Sequence, residues 1–241
     1  MFKRLVLYLL LLSTLSFTAC QKEDVSGSSD YKTLGTSAHN LLVASPYSLL
    51  KIEIQYMPGV APDSSSVNNL VIFLEKILNK PDGIQVSEEE IAGSGKSVLS
   101  INDIVNIEKK NRRSFTQNNM IAVYILIADG SNDSSKIFAT SYWNTSMCIF
   151  GKTVNEQSGA LGQVSRSQLL STLFEHEFGH LLGLVNQGSP MQTDHKDPDN
   201  GAHCNNPNCL MYYNIESAGN LFNIPLLDAN CIADLKANGA K

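Results

Sequence analysis

Two histidines and a glutamate, His176, Glu177 and His180, stand in the run His176-Glu177-Phe178-Gly179-His180. Leu169, Leu170, Leu173, Leu181 and Leu184 flank them at helical spacing. On a helix, residues i and i+4 lie one turn apart on one face. That spacing sets two imidazoles side by side, at the separation needed to grip one metal ion. Glu177 sits beside the first of them, within reach of a water on that metal without binding the metal itself. The pattern is H-E-x-x-H, and its chemistry is hydrolysis by a metal-activated water. Gly183 follows where the helix should stop, because glycine takes the left-handed turn at a helix C-terminus. Gly179 lies inside the helix at a cost of about 1 kcal/mol relative to alanine, so a packing reason is expected.

The elements that must carry this helix can be read in order. Ser48 to Met57 alternates Ile52, Ile54 and Tyr56 with Lys51, Glu53 and Gln55, the pattern of a half-buried strand. A helix capped by Ser64, Ser65 or Ser66 runs through Leu70, Phe73, Leu74, Ile77 and Leu78. Pro81-Asp82-Gly83 turns the chain into a short strand over Ile84 to Val86. Ser100 or Asn102 caps a helix to about Lys110, and Met120 to Ala128 reads as a fully buried strand. Ile137 to Tyr142 and Met147 to Phe150 are two more short strands, and Ser165 or Ser167 caps the histidine helix. This order predicts an α/β (α+β) fold with a mixed twisted sheet. The Met147–Phe150 strand is the expected sheet edge, where an extended peptide could pair by β-addition. Pro225, Leu226, Leu227, Ile232 and Leu235 predict a closing helix.

Composition narrows the rest. The chain has 241 residues, 43% of them hydrophobic, with a net charge of −5. That suffices for one globular domain, and no basic patch suggests nucleic acid. Lys3 and Arg4 precede an apolar run from Leu5 to Leu12, which reads as a secretory signal peptide over residues 1–19. Phe17-Thr18-Ala19-Cys20 resembles the lipobox of bacterial lipoproteins, with Phe17 in place of the usual leucine-like residue. The resemblance implies lipidation at Cys20. Gln21-Lys22-Glu23-Asp24 resembles the acidic export signals of surface lipoproteins in Bacteroidetes-type bacteria. The expectation is an exported, surface-exposed protein, anchored by lipid to the outer membrane. Residues 20–45 then form a flexible tether and 46–241 the domain. Removing residues 1–19 takes away two positive charges and no acidic residue, so the net charge becomes −7. Cys148, Cys204, Cys209 and Cys231 remain, and an oxidising compartment favours pairing. Cys204 with Cys209, across a short Asn/Pro loop, and Cys148 with Cys231 is the expected arrangement.

A catalytic zinc takes three protein ligands and keeps one position for water. Besides His176 and His180, His195 and His203 are within plausible reach, whereas His39 lies far upstream. The run His203-Cys204-Asn205-Asn206-Pro207-Asn208-Cys209-Leu210-Met211 resembles the segment after the active-site helix in archaemetzincins. There the third zinc histidine directly precedes a cysteine, and a second cysteine closely precedes the methionine of the Met-turn. His176 to Gly183 also fits the metzincin pattern H-E-x-x-H-x-x-G. Asn186 stands where metzincins place their third histidine, so the resemblance requires an inserted loop over 186–202. It implies His203 as the third ligand, with His195 inside the insertion as the alternative.

The same resemblance implies a small C-terminal subdomain with Met211 as the floor beneath the metal. Tyr213 would approach the metal or the transition-state oxyanion, or serve only as aromatic core. The archaemetzincins' second, cysteine-rich zinc site has no C-x-x-C counterpart here. Asp194, Asp197, Asp199 and Asn200 read as a solvated acidic loop, since no calcium-loop spacing is met. The implied function is that of a monomeric zinc endopeptidase acting on a peptide or protein, with Glu177 as general base. Two other readings stay open. One is a peptide- or protein-binding lipoprotein on a protease-like scaffold, without turnover. The other is a different zinc-peptidase clan, with Glu216 as third ligand.

Overall fold

The computed structural model describes residues 29–133, 137–214 and 224–241. Cys20, the signal segment and Glu216 lie outside them. Thirteen elements follow in order: α1 (Ala38–Leu42), β1 (Leu49–Tyr56), α2 (Ser64–Ile77), β2 (Ile84–Glu90), β3 (Val98–Leu99), α3 (Ile101–Asn111), β4 (Met120–Ala128), β5 (Ser131–Asn132), β6 (Ala139–Trp143), β7 (Ser146–Phe150), α4 (Gly151–Glu156), α5 (Arg166–Leu181) and α6 (Ala229–Ala237). Five strands form one sheet in the order β2-β1-β4-β7-β6, and β3 pairs with β5 in a second. The β1–β2, β1–β4 and β4–β7 pairings are parallel. Only β6 runs antiparallel, beside β7. Among the described residues, no helix is long and apolar enough to cross a membrane.

The centre of the sheet explains its most apolar sequence. In β4 every residue from Ile121 to Ala128 is buried, as a strand covered on both faces requires. The edge strand differs from the expectation. β7 lies between β4 and β6, so β2 is the edge on one side and β6 the edge on the other. Its partner across the hairpin, β7, is buried at all five positions. The apolar run 147–150 therefore signals an interior strand.

β1 also departs from its half-buried reading. Glu53 and Gln55 are buried, because residues 111–114, at and after the end of α3, cover the face they share. Burial of such groups is tolerable only when they are hydrogen-bonded. Glu53 accepts from the backbone N–H groups of Arg113 and Ser114 and from Nε2 of Gln55. The Tyr124 hydroxyl donates to Oε1 of Gln55 at 2.9 Å. Behind them, the Arg112 guanidinium donates to Glu108 at 2.8 Å with both side chains fully buried. Tyr142 and Ser146 donate to the two Glu108 oxygens, each at 2.7 Å. Burial still pushes the Glu108 carboxyl above its ordinary pKa, against the pull of Arg112.

The N-terminal segment is the clearest correction. Residues 30–45 were expected in a tether, yet Asp30, Ala38, Leu41 and Leu42 are buried. Lys80 donates from Nζ to the carbonyls of Asn40, Val43 and Tyr47 at 2.6–2.7 Å. Asp30 receives the backbone N–H of Thr116 and lies 3.7 Å from Arg112. The apolar residues Ala38, Leu41 and Leu42 supply this packing; they cover one face of a short helix.

Caps explain where the helices begin. Ser100 and Asp103 form a reciprocal capping box on α3, and Ser165 caps α5, both as expected. α2 is capped by Asp63, not by Ser64, Ser65 or Ser66. The Asp63 carboxylate accepts from the N–H of Ser66, and an aspartate beside three serines wins that competition. Asp228 caps α6, so the closing helix starts four residues after Pro225.

α5 packs against α2, and Glu175 is buried on it. Burial lifts its carboxyl from 4.5 to about 7, opposed by Lys76. A raised folded pKa means that the folded state holds the proton longer than the unfolded chain. Stability is then greatest below about pH 4.5 and falls as the pH rises through about 7. Glu175→Gln removes that penalty. It is expected to gain about 2 kcal/mol in urea melts at pH 8 and almost nothing at pH 4.5. Equal gains at both pH values would exclude the carboxyl as the cause.

Candidate functional site

α5 carries His176 and His180 one turn apart and wholly inside the protein; residues 169–181 are buried without exception. The helix ends on a Schellman turn: Gly183 N–H bonds the His180 carbonyl and Leu184 N–H the Gly179 carbonyl, each at 3.0 Å. Gly183 takes φ +77°, the left-handed conformation this turn requires. A Cβ there would also meet Ser189 N at 2.5 Å, so the position admits only glycine.

The chain then crosses the loop 186–202 and returns with His203. The structure brings His203 to His176 and His180, with ring centroids 5.4 and 5.1 Å away. One ligand atom from each of the three lies within 4.8 Å of the other two. Nε2 of His176 and Nε2 of His180 are 3.2 Å apart. Two nitrogens on a tetrahedral zinc stand about 3.3 Å apart, given Zn–N bonds of about 2.05 Å. The donor set therefore fits a small divalent cation.

Backbone carbonyls fix the ring tautomers. Nδ1 of His176 lies 2.7 Å from the Leu210 carbonyl, and Nδ1 of His203 lies 2.6 Å from the Asn200 carbonyl. A carbonyl only accepts, so each Nδ1 carries the proton and each Nε2 keeps its lone pair for a metal. The acidic loop has a part in this. Asp197 accepts from the N–H groups of Asp199 and Asn200 and from the Asn200 amide. These bonds hold the Asp197 carboxyl below its ordinary pKa. They also fold the turn that places Asn200 under His203. Asp197 N–H bonds the His203 carbonyl as well, at 2.8 Å.

Met211 lies under the helix. It is fully buried, and a Cβ on Gly179 would meet its Sδ at 2.3 Å. That contact is the reason for a glycine inside α5. Gly179→Ala must push Met211 aside, and Leu210, which holds His176, with it. The expected cost is about 1–3 kcal/mol of stability together with weakened metal binding. A variant with native melting temperature and native metal affinity would show that the Met211 contact is not what reserves the position. Tyr213 tilts against Tyr212 at the end of this loop, with ring centroids 4.7 Å apart.

His195 is elsewhere. Its Nε2 lies 2.8 Å from Asp234 on α6, both side chains being buried, and its Nδ1 faces Cys204 at 3.4 Å. With Asp228 and Cys231, His195 and Cys204 form a second group whose ligand atoms lie within 4.8 Å of one another. The expected disulfides are not formed. All four cysteines of the described residues are free and buried. Cys209 faces Cys231 at 3.6 Å, Cys204 faces His195 and Asp228, and Cys148 is enclosed in β7. Both Cys204 and Cys209 lie beside Cys231 and Asp228 without forming a disulfide. Sequence spacing concealed this group, because its members come from the inserted loop, the segment after His203 and the start of α6.

One contact of Glu177 was also hidden. The Ser141 hydroxyl on β6 lies 2.7 Å from Oε2 of Glu177. Thirty-six residues separate the two. No spacing rule links an edge-strand serine to a helical glutamate.

No protein-family model matches the sequence, and no curated protein matches it. Among solved structures, an archaemetzincin from Methanopyrus kandleri superposes with a TM-score of 0.52 at 13% identity, over 79% of this chain and 96% of that one. Metalloproteinase-II from Bacteroides fragilis aligns with a TM-score of 0.47 at 16% identity, over 87% of this chain and 56% of that one. The chain thus has a mixed α/β fold, with a twisted, mostly parallel sheet, similar to that of archaemetzincin.

Proposed function

We propose that this protein is a zinc-dependent endopeptidase with His176, His180 and His203 as the metal ligands and Glu177 as general base. The convergence of three imidazoles beside a buried glutamate carries the reading. The fold likeness to a metallopeptidase supports it. The three imidazoles would hold a zinc ion, which would supply Lewis acidity toward the scissile carbonyl and the attacking water. Glu177 takes a proton at its carboxylate and returns it to the leaving amine. The substrate strand pairs with β6, the sheet edge beside α5, and so passes beside Ser141 and the end of Glu177. Tyr213 is the candidate donor to the developing oxyanion. The second group, His195, Cys204, Asp228 and Cys231, is suited to a structural cation that ties α6 to the inserted loop.

The amino-terminal pattern supports a wider proposal: an exported chain, lipidated at Cys20 and anchored to the outer membrane of a bacterium. The test of the central reading is digestion of a broad peptide mixture, followed by mass spectrometry. Cleavage that stops with 1,10-phenanthroline and returns with zinc is the expected result. Zinc uptake without any cleavage would favour a non-catalytic peptide-binding protein. A chain that takes up no zinc would defeat both.

A further inference from the structure

We propose that Ser141 is a positioning residue for Glu177, an inference that rests on the hydrolase reading above. The Glu177 carboxylate is fully buried, where its rotation about the terminal bond must be set by partners. Ser141 supplies one from a different element. Its hydroxyl donates to Oε2 at 2.7 Å and also stands 3.2 Å from the Glu177 backbone carbonyl. One serine thus reaches both ends of the same residue. A hydrogen bond to an ionised carboxylate is among the stronger ones. Held by this bond, the carboxylate keeps one orientation toward the group whose proton it takes up and returns.

The local backbone serves this aim. The β6–β7 register shifts between Ser141 and Trp143, a bulge immediately after Ser141. Bulges re-aim side chains beside functional sites. Ser141 points at α5, whereas the next residue, Tyr142, points at Glu108 on α3. β6 is also the strand that a substrate would join. The alignment of the base and the edge that receives the peptide are therefore parts of one strand, and anything that moves β6 moves both.

The experiment compares Ser141→Ala and Ser141→Thr with the wild-type chain. Threonine keeps the hydroxyl and suits a strand. Ser141→Ala is expected to lower kcat about tenfold to a hundredfold with KM and zinc content unchanged, and Ser141→Thr to restore most of it. Acetohydroxamate, which chelates a catalytic zinc while giving its proton to the neighbouring carboxylate, supplies a readout without turnover. Its affinity by calorimetry should fall about tenfold in Ser141→Ala and recover in Ser141→Thr. If Ser141→Ala does not fold, Ser141→Cys replaces it, since the thiol has similar size but donates weakly. An active wild type whose alanine or cysteine variant keeps native kcat and acetohydroxamate affinity overturns the role of Ser141 alone. A change confined to KM overturns it too, because it would mark a substrate contact. A wild type that binds neither zinc nor acetohydroxamate overturns the hydrolase reading first.

Discussion

Glu177→Gln is expected to leave the metal in place and to remove turnover. The glutamine has the shape of the glutamate and can still accept from Ser141 through its amide oxygen, but it cannot take a proton. General base catalysis by a positioned group contributes about 10²–10⁴-fold, so kcat/KM should fall by about 10³ or more. Zinc content should not change, since Glu177 is not among the three side chains that converge. Stability should hold or rise, because a buried carboxylate is replaced by a neutral amide. The measurement is metal analysis and peptide turnover on the same preparation. A variant that keeps more than about a tenth of wild-type turnover would place the base elsewhere and end the proposed mechanism.

The second large effect separates two histidines that the sequence could not rank by spacing alone. His203→Ala should abolish turnover and lose one metal equivalent, with a small change in stability of the metal-free chain. His195→Ala should keep the catalytic metal and lose stability instead. His195 and Asp234 are a buried pair, exposed by 1% and 0%, and removal of one partner strands the other. The cost of stranding a buried, hydrogen-bonded group of this kind is about 3 kcal/mol. If the second group holds a cation, the same variant loses that one as well. Urea melts with and without chelator, beside metal analysis, distinguish the two variants. Loss of turnover in His195→Ala at full metal content and stability would assign it a part in catalysis.

Much of this site was legible in one dimension because it rests on local rules. His176, Glu177 and His180 follow from helical spacing, Gly183 from the end of that helix, and Ser100 and Ser165 from cap chemistry. The burial of β4 follows from its unbroken apolar run. Apart from the α2 cap, where Asp63 took the place expected of a serine, the errors share a different cause: each depended on which element lies next to which. Alternation in β1 suggested a wet face, but residues 111–114 cover Glu53 and Gln55. The hairpin β6–β7 gave no sign of which strand joins β4. Residues 30–45 looked polar enough for a tether, yet Leu41 and Leu42 suffice to dock them once Lys80 offers its three bonds. Cys204 and Cys209 gather with Cys231 and His195, residues that spacing alone could not bring to them.

The short run from Cys204 to Met211 has a kinetic consequence. Cys204 N–H bonds the Met211 carbonyl, Leu210 N–H bonds the Leu226 carbonyl, and the Leu210 carbonyl bonds His176. His203 precedes the first of these bonds, and α6 follows the second. If His176 and His203 hold a metal, the bonds of this loop would restrain both imidazoles at once and slow the release of the ion. Amide exchange at Cys204 and Leu210 reports how often the loop opens, and slow exchange there beside slow loss of added zinc to a chelator is the expected result.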